Sequence, residues 1–336
     1  MSKLETRQPG TTVGGAEKTM LDDVDARTKL VGSNRMEILL FSLGTGETFG
    51  INVFKVREVS KTPFITKAPN MPVGVEGLIS LRGNVIPVVS LGGVLKLSGA
   101  PKEQGGTMMV TEYNKRILGF LVNGVDRIIR VDWDKVRASD NLVSSAQSFI
   151  TAICELPPDS GAGQAGRLVS ILDVEQIMAA TFGEPPVAIV APLQDGAEHH
   201  VFFVDDSAIA RKKISEVLDQ LGIKHKHALN GMEAWTRLSG MAAHAQQTGG
   251  RLADDLGVIL VDAEMPEMDG YVLTRHIKSD SRFDGIPVVM HSSLSSEATR
   301  AMGKSVGVDA YVAKFDADIL ADTLRPLLAK AHSRLN

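Results

Sequence analysis

The sequence predicts two folded domains of different class, an all-β domain followed by an α/β domain with a parallel sheet. The chain has 336 residues, which is more than one typical hydrophobic core accommodates. Residues 36–173 contain short apolar runs separated by turn residues, a pattern typical of a β-barrel or sandwich. From about residue 200 onward, apolar runs end on polar side chains, as the buried strands of open α/β sheets do.

Residues 1–34 are expected to form a polar tail with one short helix over residues 16–31. The start of the chain lacks the apolar segment of a secretory signal. No later apolar run approaches the ~18 to 20 residues that a membrane-spanning helix needs. We therefore expect a cytoplasmic protein that does not insert directly into a membrane.

The N-terminal domain is expected over residues 35–180. Three pairs of apolar runs predict β-hairpins, because each pair flanks a stretch of turn residues. The pairs are residues 37–43 with 48–53, residues 108–113 with 116–122, and residues 148–154 with 168–173. The single cysteine, Cys154, excludes an intramolecular disulfide, and its apolar surroundings indicate a small buried side chain.

Residues 181–199 contain prolines, glycines and acids, and we interpret them as a linker to a second domain over residues 200–336. The first helix of that domain is predicted by apolar residues at helical spacing, namely Ala210, Ile214, Val217, Leu218 and Leu221. The last helix is expected over residues 316–331 and contains Pro326, which should kink it or remove one hydrogen bond.

Four apolar runs of the C-terminal domain end on side chains that could act together. They are residues 201–204 before Asp205 and Asp206, 258–261 before Asp262, 286–290 before His291 and Ser292, and 309–313 before Lys314. If these strands are parallel, their polar ends converge on Asp262 at one edge of the sheet. Clustered carboxylates repel one another unless a cation compensates, and Mg²⁺ favours such an oxygen site. Lys314 and Ser292 would donate hydrogen bonds to a phosphoryl group, for which Asp262 would be the nucleophile.

On these residues and on the run Asp262-Ala-Glu-Met-Pro-Glu-Met-Asp-Gly270, the C-terminal domain resembles a two-component receiver domain. The resemblance implies a flavodoxin-like, doubly wound sheet of five parallel strands. It also implies that Asp262 is the phosphoacceptor and that Asp205, Asp206 and Asp262 bind Mg²⁺ together with the Glu264 backbone carbonyl. Ser292 would be the switch hydroxyl and Tyr311 the switch aromatic, although a strand aromatic is explained equally well as part of the core.

Two residues depart from the receiver pattern. Phe315 follows Lys314 where the family usually has proline, often after a cis bond, so that this bond is either trans or held cis by its surroundings at a cost of about 2.5 to 4 kcal/mol. Glu264 lies two residues after Asp262, where its side chain could reach the metal or an attacking water. We expect Glu264 to tune the lifetime of the phosphoaspartate.

The N-terminal domain resembles the CheW coupling domain. The resemblance is carried by residues 52–59, by residues 74–91 with their Leu-Arg-Gly turn, and by Leu172-Asp-Val-Glu175. It implies two small β-barrels side by side, without a catalytic centre, and it points to Val56, Glu58 and Arg82 as docking residues. On the sequence alone, Arg82 is better explained as a surface arginine that stabilises a turn.

The order of the two domains resembles that of the CheV-type chemotaxis coupling proteins. This resemblance implies a phosphoacceptor adaptor and not an enzyme. Such a protein would dock on the histidine kinase CheA and on the cytoplasmic tips of chemoreceptors, and would be recruited from the cytoplasm to membrane receptor arrays. The alternative is a phosphate sink that drains the kinase with little coupling activity.

Two other function classes fit the sequence less well. A phosphohydrolase of the haloacid-dehalogenase type also uses an aspartate nucleophile, but it needs an aspartate two residues later, where this chain has Glu264. A DNA-binding regulator needs a basic reading helix, whereas the net charge is −4 and the chain is expected to end with its last receiver helix. We therefore expect no nucleic-acid partner.

Overall fold

The structure is a computed structural model that describes residues 35–97, 106–113, 116–138, 149–156, 166–184, 186–194, 196–293, 297–314 and 316–332. The helix predicted over residues 16–31 and the residue Phe315 lie outside these ranges, so neither expectation is addressed by the structure. Within the described ranges, no helix is both long enough and apolar enough to cross a membrane.

The N-terminal domain is rich in β-strands, as predicted. Its strands are β1 (Arg35–Ser42), β2 (Thr48–Asn52), β3 (Val56–Lys61), β4 (Val75–Leu81), β5 (Asn84–Ser90), β6 (Thr107–Tyr113), β7 (Arg116–Val122), β8 (Gly124–Asp132), β9 (Val136–Ala138), β10 (Ile150–Leu156) and β11 (Arg167–Leu172). They form one sheet in the order β8-β1-β2-β11-β10-β9 and a second in the order β3-β6-β7-β5-β4. All three predicted hairpins are confirmed, since β1–β2, β6–β7 and β10–β11 are antiparallel pairs.

The two sheets of this domain share a hydrophobic core. Strand β1 is buried on both faces, with Leu39 and Phe41 in one cluster and Ile38 and Leu40 in another. The cluster with Phe41 also contains Phe120 of β7 in the second sheet, so it joins the two sheets. Cys154 is buried, as expected, and burial raises the pKa of its thiol to about 11.

Two helices complete the described part of this domain, α1 (Leu91–Val94) and α2 (Val174–Phe182). Helix α2 begins directly after β11, and its N-terminus is capped by Asp173, whose carboxylate accepts a hydrogen bond of 2.9 Å from the Gln176 backbone N–H. This cap fixes the direction of the first turn of α2, which includes Glu175.

The C-terminal domain is a parallel sheet covered by helices. Its elements are β12 (His200–Val204), α3 (Ala208–Leu221), β13 (Lys224–Ala228), α4 (Gly231–Gln247), α5 (Leu252–Asp255), β14 (Val258–Asp262), α6 (Gly270–Ser279), β15 (Val288–Ser292), α7 (Glu297–Val306), β16 (Ala310–Ala313) and α8 (Ala317–His332). The strand order is β13-β12-β14-β15-β16 and every pair is parallel, which confirms the doubly wound, five-stranded prediction.

Successive side chains of the central strands point to opposite faces of the sheet, which explains why helices cover both faces. Phe202 and Val204 of β12 belong to one hydrophobic cluster, whereas Val201 and Phe203 belong to the cluster on the opposite face. The predicted apolar stripe of α3 is buried in full, and α8 contains Pro326 inside its span, as expected. Because both faces are covered, only the strand ends remain for polar chemistry.

Residues before β12 pack on the C-terminal domain. Val190 is buried in its core, and its backbone N–H donates a hydrogen bond of 2.8 Å to the Gln220 side chain of α3. The Leu193 backbone N–H donates to the Leu221 carbonyl at 3.1 Å. The guanidinium of Arg325 in α8 donates to the Ala191 carbonyl. This segment is therefore anchored on α3 and α8.

Gly270 sets the position of Asp262 at the end of β14. A Cβ atom added at Gly270 would overlap with the Asp262 carbonyl oxygen, and the Gly270 N–H donates to the Ala263 carbonyl at 3.0 Å.

Gly270→Ala should therefore destabilise this domain by about 1 to 3 kcal/mol, as measured by calorimetry. The control is Gly240→Ala in α4, where no atom lies within 4 Å of the added Cβ. That variant should be neutral or more stable by up to about 1 kcal/mol, and equal stability of the two variants would contradict this account.

Candidate functional site

Acidic side chains from two strands meet one lysine at the carboxyl edge of the parallel sheet. Asp205 and Asp206 follow β12, Asp262 ends β14, and Lys314 follows β16. The Lys314 ammonium lies 2.9 Å from a carboxylate oxygen of Asp205 and 2.9 Å from one of Asp262. Asp205, Asp262 and Lys314 are almost fully buried. The convergence predicted from the strand ends is therefore present.

The carboxylates are arranged as a site for a divalent cation. Oxygens of Asp205, Asp206 and Asp262 lie within 4.8 Å of one another. Close by, neither carboxylate oxygen of Glu264 has a hydrogen-bond partner among the residues that the structure describes, although both are buried. One lysine is too little positive charge for this group, and Mg²⁺ favours carboxylate oxygens, so the residues present fit Mg²⁺.

The pKa values of these carboxyl groups show the cost of their burial. Burial raises the pKa of Asp205 to about 8 and that of Asp262 to about 6, while Lys314 opposes both shifts. Burial also raises the pKa of Asp206, and repulsion by Asp262 and Asp205 adds to the rise. For Lys314, burial alone would lower the pKa, but the surrounding carboxylates raise it well above its usual value. Lys314 is therefore charged, and the acids need further positive charge to ionise together.

Ser292 and Tyr311 lie beside this site on neighbouring strands. Ser292 is buried at the end of β15, and its carbonyl accepts a hydrogen bond of 2.9 Å from the Lys314 backbone N–H. Burial raises the pKa of Tyr311, whose hydroxyl is hydrogen bonded to the side chains of Ser292 and Thr299. The Arg300 guanidinium lies 5.6 Å from the Tyr311 ring centroid. The structure thus links the two predicted switch residues and adds Thr299, which sequence reasoning missed.

Sequence reasoning also missed two residues of the N-terminal domain. A carboxylate oxygen of Glu175 in α2 lies 3.4 Å from the Lys314 ammonium, and both side chains are almost fully buried. Lys55 lies in the 3₁₀ turn Val53–Lys55, where burial opposes its charge but the carboxylates of Glu264, Glu175 and Asp206 raise its pKa. Glu175 was part of a recognised motif, but no sequence signal placed it near Lys314.

The predicted docking residues lie together in the second sheet of the N-terminal domain. Val56 begins β3 and packs against the domain core, and Glu58 lies two residues further along the same strand. Arg82, in the turn between β4 and β5, forms an ion pair with Glu58. Arg82 has a φ of 49° and Gly83 a φ of 84°, so both central residues of this two-residue hairpin turn are left-handed.

The backbone conformation of Arg82 helps to decide whether this residue stabilises the turn or is available for docking. Left-handed turn positions favour glycine, asparagine or aspartate, and a long side chain there costs backbone energy. Arg82 therefore does not stabilise the turn through its backbone. Its side chain is 79% exposed while its partner Glu58 is 25% exposed, so the guanidinium faces solvent.

Comparisons with known proteins divide the chain in the same way. Residues 37–182 match the CheW-like domain family, and residues 201–325 match the response regulator receiver domain family. The chemotaxis protein CheV3 of Helicobacter pylori is 29% identical over 286 residues, which cover 84% of this chain and 89% of that protein.

Two shorter relatives match one domain each. The chemotaxis protein CheW of Klebsiella aerogenes is 26% identical over 156 residues, covering 46% of this chain and 88% of that protein. The chemotaxis protein CheY1 of Helicobacter pylori is 33% identical over 127 residues, covering 37% of this chain and 93% of that protein. The first half of the chain is therefore similar to one chemotaxis protein and the second half to another.

Stability of the metal-free site should fall as pH rises. Asp205 and Asp262 have folded-state pKa values of about 8 and about 6, above the ordinary value of 3.8, so between these limits the folded state holds protons that the unfolded state has released. Stability therefore decreases with rising pH until about pH 8. Because Mg²⁺ binds the ionised carboxylates, it should raise the melting temperature more at pH 8 than at pH 6, by about 4 °C or more.

Calorimetry with Mg²⁺ or with a chelator at the two pH values measures this difference. Asp206→Asn is the matched control, because it removes one carboxylate of the group and should lose most of the response to Mg²⁺. An equal Mg²⁺ effect at both pH values, or a larger one at pH 6, would show that the acids are ionised without the cation.

Proposed function

Because the chain belongs to the CheV-type family of chemotaxis proteins, in which a CheW-like domain precedes a receiver domain, we propose that it couples chemoreceptors to the histidine kinase CheA and that phosphorylation of Asp262 modulates the coupling. Members of this family act as adaptors and phosphoacceptors and not as enzymes. The observation that carries the proposal is the Lys314 ammonium, 2.9 Å from both Asp262 and Asp205, in a chain that also has a coupling domain.

Asp262 is the phosphoacceptor in this proposal. One of its carboxylate oxygens attacks the phosphorus of a phosphohistidine, a P–O bond forms, the P–N bond breaks, and the leaving imidazole nitrogen takes a proton from water. Lys314, which already contacts Asp262, donates a hydrogen bond to the transferred phosphoryl group. When bound by Asp205, Asp206, Asp262 and the Glu264 carbonyl, Mg²⁺ supplies positive charge that offsets the negative charge of the phosphoryl oxygens.

The switch couples the phosphoryl group to the surface of the receiver. The Ser292 side chain is hydrogen bonded to Tyr311 and stands beside the Lys314 loop. A phosphoryl group on Asp262 offers the Ser292 hydroxyl a charged acceptor, which is a stronger partner than a neutral phenol. Ser292 then leaves Tyr311, and the aromatic ring follows into the space that Ser292 vacates.

The free energy that phosphorylation can supply favours modulation of the coupling over an on/off response. Moving a two-state equilibrium from 1:99 to 99:1 requires about 5.5 kcal/mol of differential stabilisation. Exchanging one or two hydrogen bonds supplies about 1 to 3 kcal/mol. Phosphorylation is therefore expected to tune the activity of receptor arrays, to which the chain is recruited from the cytoplasm through its docking residues.

Val56, Glu58 and Arg82 are the proposed docking residues for the kinase and the receptor tips. The exposed guanidinium of Arg82 occupies a backbone position that the turn itself does not favour, which supports a role for the side chain outside the fold. The Glu58 carboxylate holds it in place from β3. An arginine oriented in this way is a common anchor of protein interfaces.

The alternative is a phosphate sink with little coupling activity. This alternative is favoured because all of the predicted phosphorylation-site residues belong to the receiver, namely Asp205, Asp206, Asp262, Ser292 and Lys314. A sink would need only to accept phosphate from the kinase and lose it to water. The two functions differ in whether the N-terminal domain binds receptors and kinase.

Co-sedimentation of the full chain with receptor-bearing membranes and CheA separates the two functions. The wild type should sediment with them, whereas Arg82→Glu should weaken binding by roughly tenfold or more, as expected for an anchoring arginine. The matched control is Arg137→Glu, at an exposed arginine of β9 in the other sheet, and it should bind like the wild type. If the wild type does not sediment, the coupling proposal is wrong and the sink remains.

A further inference from the structure

A carboxylate of the coupling domain lies inside the phosphorylation site of the receiver. Glu175 reaches Lys314 across 139 positions of sequence, with 3.4 Å between a carboxylate oxygen and the ammonium nitrogen. The exposed fractions of the two side chains are 4% and 2%, so the contact is shielded from water. The Asp173 cap of α2 orients the turn that carries Glu175. The contact is thus built by the fold of the coupling domain.

Glu175 competes for the group that a phosphoryl oxygen needs. A lysine ammonium has three N–H donors, and Lys314 is approached by Asp205 and Asp262 at 2.9 Å and by Glu175 at 3.4 Å. Lys314 donates hydrogen bonds to Asp262 and Glu175 and forms an ion pair with Asp205. A phosphoryl oxygen on Asp262 therefore competes with Glu175 for the Lys314 ammonium. Of these three carboxylates, Glu175 is the one that belongs to the other domain.

The 3₁₀ turn Val53–Lys55 of the coupling domain also lies beside the receiver. Phe54 of this turn and Glu264 of the receiver line the same small cavity. Burial opposes the charge of Lys55, but Glu264, Glu175 and Asp206 raise its pKa. Lys55 directly precedes Val56, the first of the proposed docking residues, at the start of β3. The 3₁₀ turn that holds Lys55 is fixed by Asn52, whose side chain accepts a hydrogen bond of 2.9 Å from the Phe54 N–H. The docking strand therefore begins at the contact with the receiver.

The two domains do not share a hydrophobic core. In the part of the chain that the structure describes, no hydrophobic cluster contains residues from both the coupling domain and the receiver sheet or helices. A small cavity of about 50 Å³ lies between them, lined by Phe54 and Trp133 on one side and by Glu264 and Tyr271 on the other, so apolar and charged side chains both face it. Because no common core joins the domains, the buried charges at their contact can influence whether it is open or closed.

We propose that Glu175 holds the coupling domain closed over the phosphorylation site, and that a phosphoryl group on Asp262 opens this contact by displacing Glu175 from Lys314. The inference rests on the proposed phosphoacceptor role of Asp262. In the closed state Asp262 is only 3% exposed, so a phosphodonor reaches it when the contact opens. A phosphoryl group carries about −1.5 to −2 charge at neutral pH and repels Glu175, which prevents closure.

This arrangement gives phosphorylation a route to the docking surface. Closure places the 3₁₀ turn that directly precedes β3 beside the receiver, where Phe54 and Glu264 line the same cavity. Opening removes the receiver from this turn and leaves Val56 and Glu58 attached to the coupling domain alone. The receiver therefore acts on coupling through a reversible intramolecular contact and needs no separate output domain.

The rate of phosphorylation by acetyl phosphate tests whether the coupling domain shields Asp262. In this reaction an Asp262 oxygen forms a bond to phosphorus, the P–O bond of acetyl phosphate breaks, and acetate leaves. Mass spectrometry of the full chain in Mg²⁺ measures the phosphorylated product. Glu175→Gln removes the charge, and Glu175→Lys reverses it, so both should be phosphorylated faster than the wild type, by roughly fivefold or more. Glu76→Gln, at an exposed position of β4 in the same domain, is the matched control and should react like the wild type.

A distance measurement tests the opening itself. Nitroxide labels at the exposed positions Lys67→Cys in the coupling domain and Gln247→Cys at the end of α4 report on the separation of the two domains by electron paramagnetic resonance. Cys154 is buried and can remain. Beryllofluoride with Mg²⁺, a stable mimic of the phosphoryl group, should lengthen or broaden the wild-type distance distribution. Glu175→Lys should show the same change without beryllofluoride.

The outcomes separate this inference from the proposed function. If Asp262 of the wild type gains no phosphoryl group and no beryllofluoride response, the phosphoacceptor role fails and the inference fails with it. If Asp262 is phosphorylated but the Glu175 variants react at the wild-type rate and the distances do not change, the phosphoacceptor role stands and the inference is wrong.

Discussion

The structure depends on one buried ammonium that holds together carboxylates which would otherwise repel one another. Lys314 contacts Asp205 and Asp262 of the receiver and Glu175 of the coupling domain. Burial disfavours every charge in this group, yet the acids raise the pKa of Lys314 and so keep it charged. The group is still short of positive charge. A cation and a phosphoryl group would both change this balance of charge, which is the basis of the proposed phosphoacceptor role.

The fold makes this balance matter to the rest of the chain. Parallel strands place the acids and the lysine at one edge of a sheet whose faces are fully covered, so the edge is where the receiver meets its neighbour. In this structure the neighbour is the coupling domain, through Glu175 of α2 and through Phe54, which lines a cavity together with Glu264. Because the two domains share no hydrophobic cluster in the described part of the chain, a charge change at Asp262 can alter their contact without rearranging either hydrophobic core.

The sequence predicted the elements and the convergence of polar side chains at the receiver's strand ends, because the signals for both are local. Apolar runs that end on Asp262 and Lys314 identify buried strands and the residues at their tips, and the order of the strands follows from the doubly wound fold. The hairpins of the coupling domain were equally visible. The contact of Glu175 with Lys314 was not predictable in this way, since it joins polar residues of different domains and leaves no periodic signal. Lys55 was missed for the same reason. Thr299 was missed because it lies on a helix of the receiver and not at a strand end, and the left-handed backbone of Arg82 became evident only from its φ angle.

We propose that one chain both couples receptors to the kinase and adjusts that coupling through Asp262. The decisive experiment measures the kinase activity of CheA in reconstituted receptor arrays, in Mg²⁺, with the wild type, with Asp262→Ala and with no added protein. Both forms should raise kinase activity above the protein-free level, and their sustained activities should differ. If neither form raises the activity, the N-terminal domain does not couple. If both raise it to the same sustained level, phosphorylation does not modulate coupling.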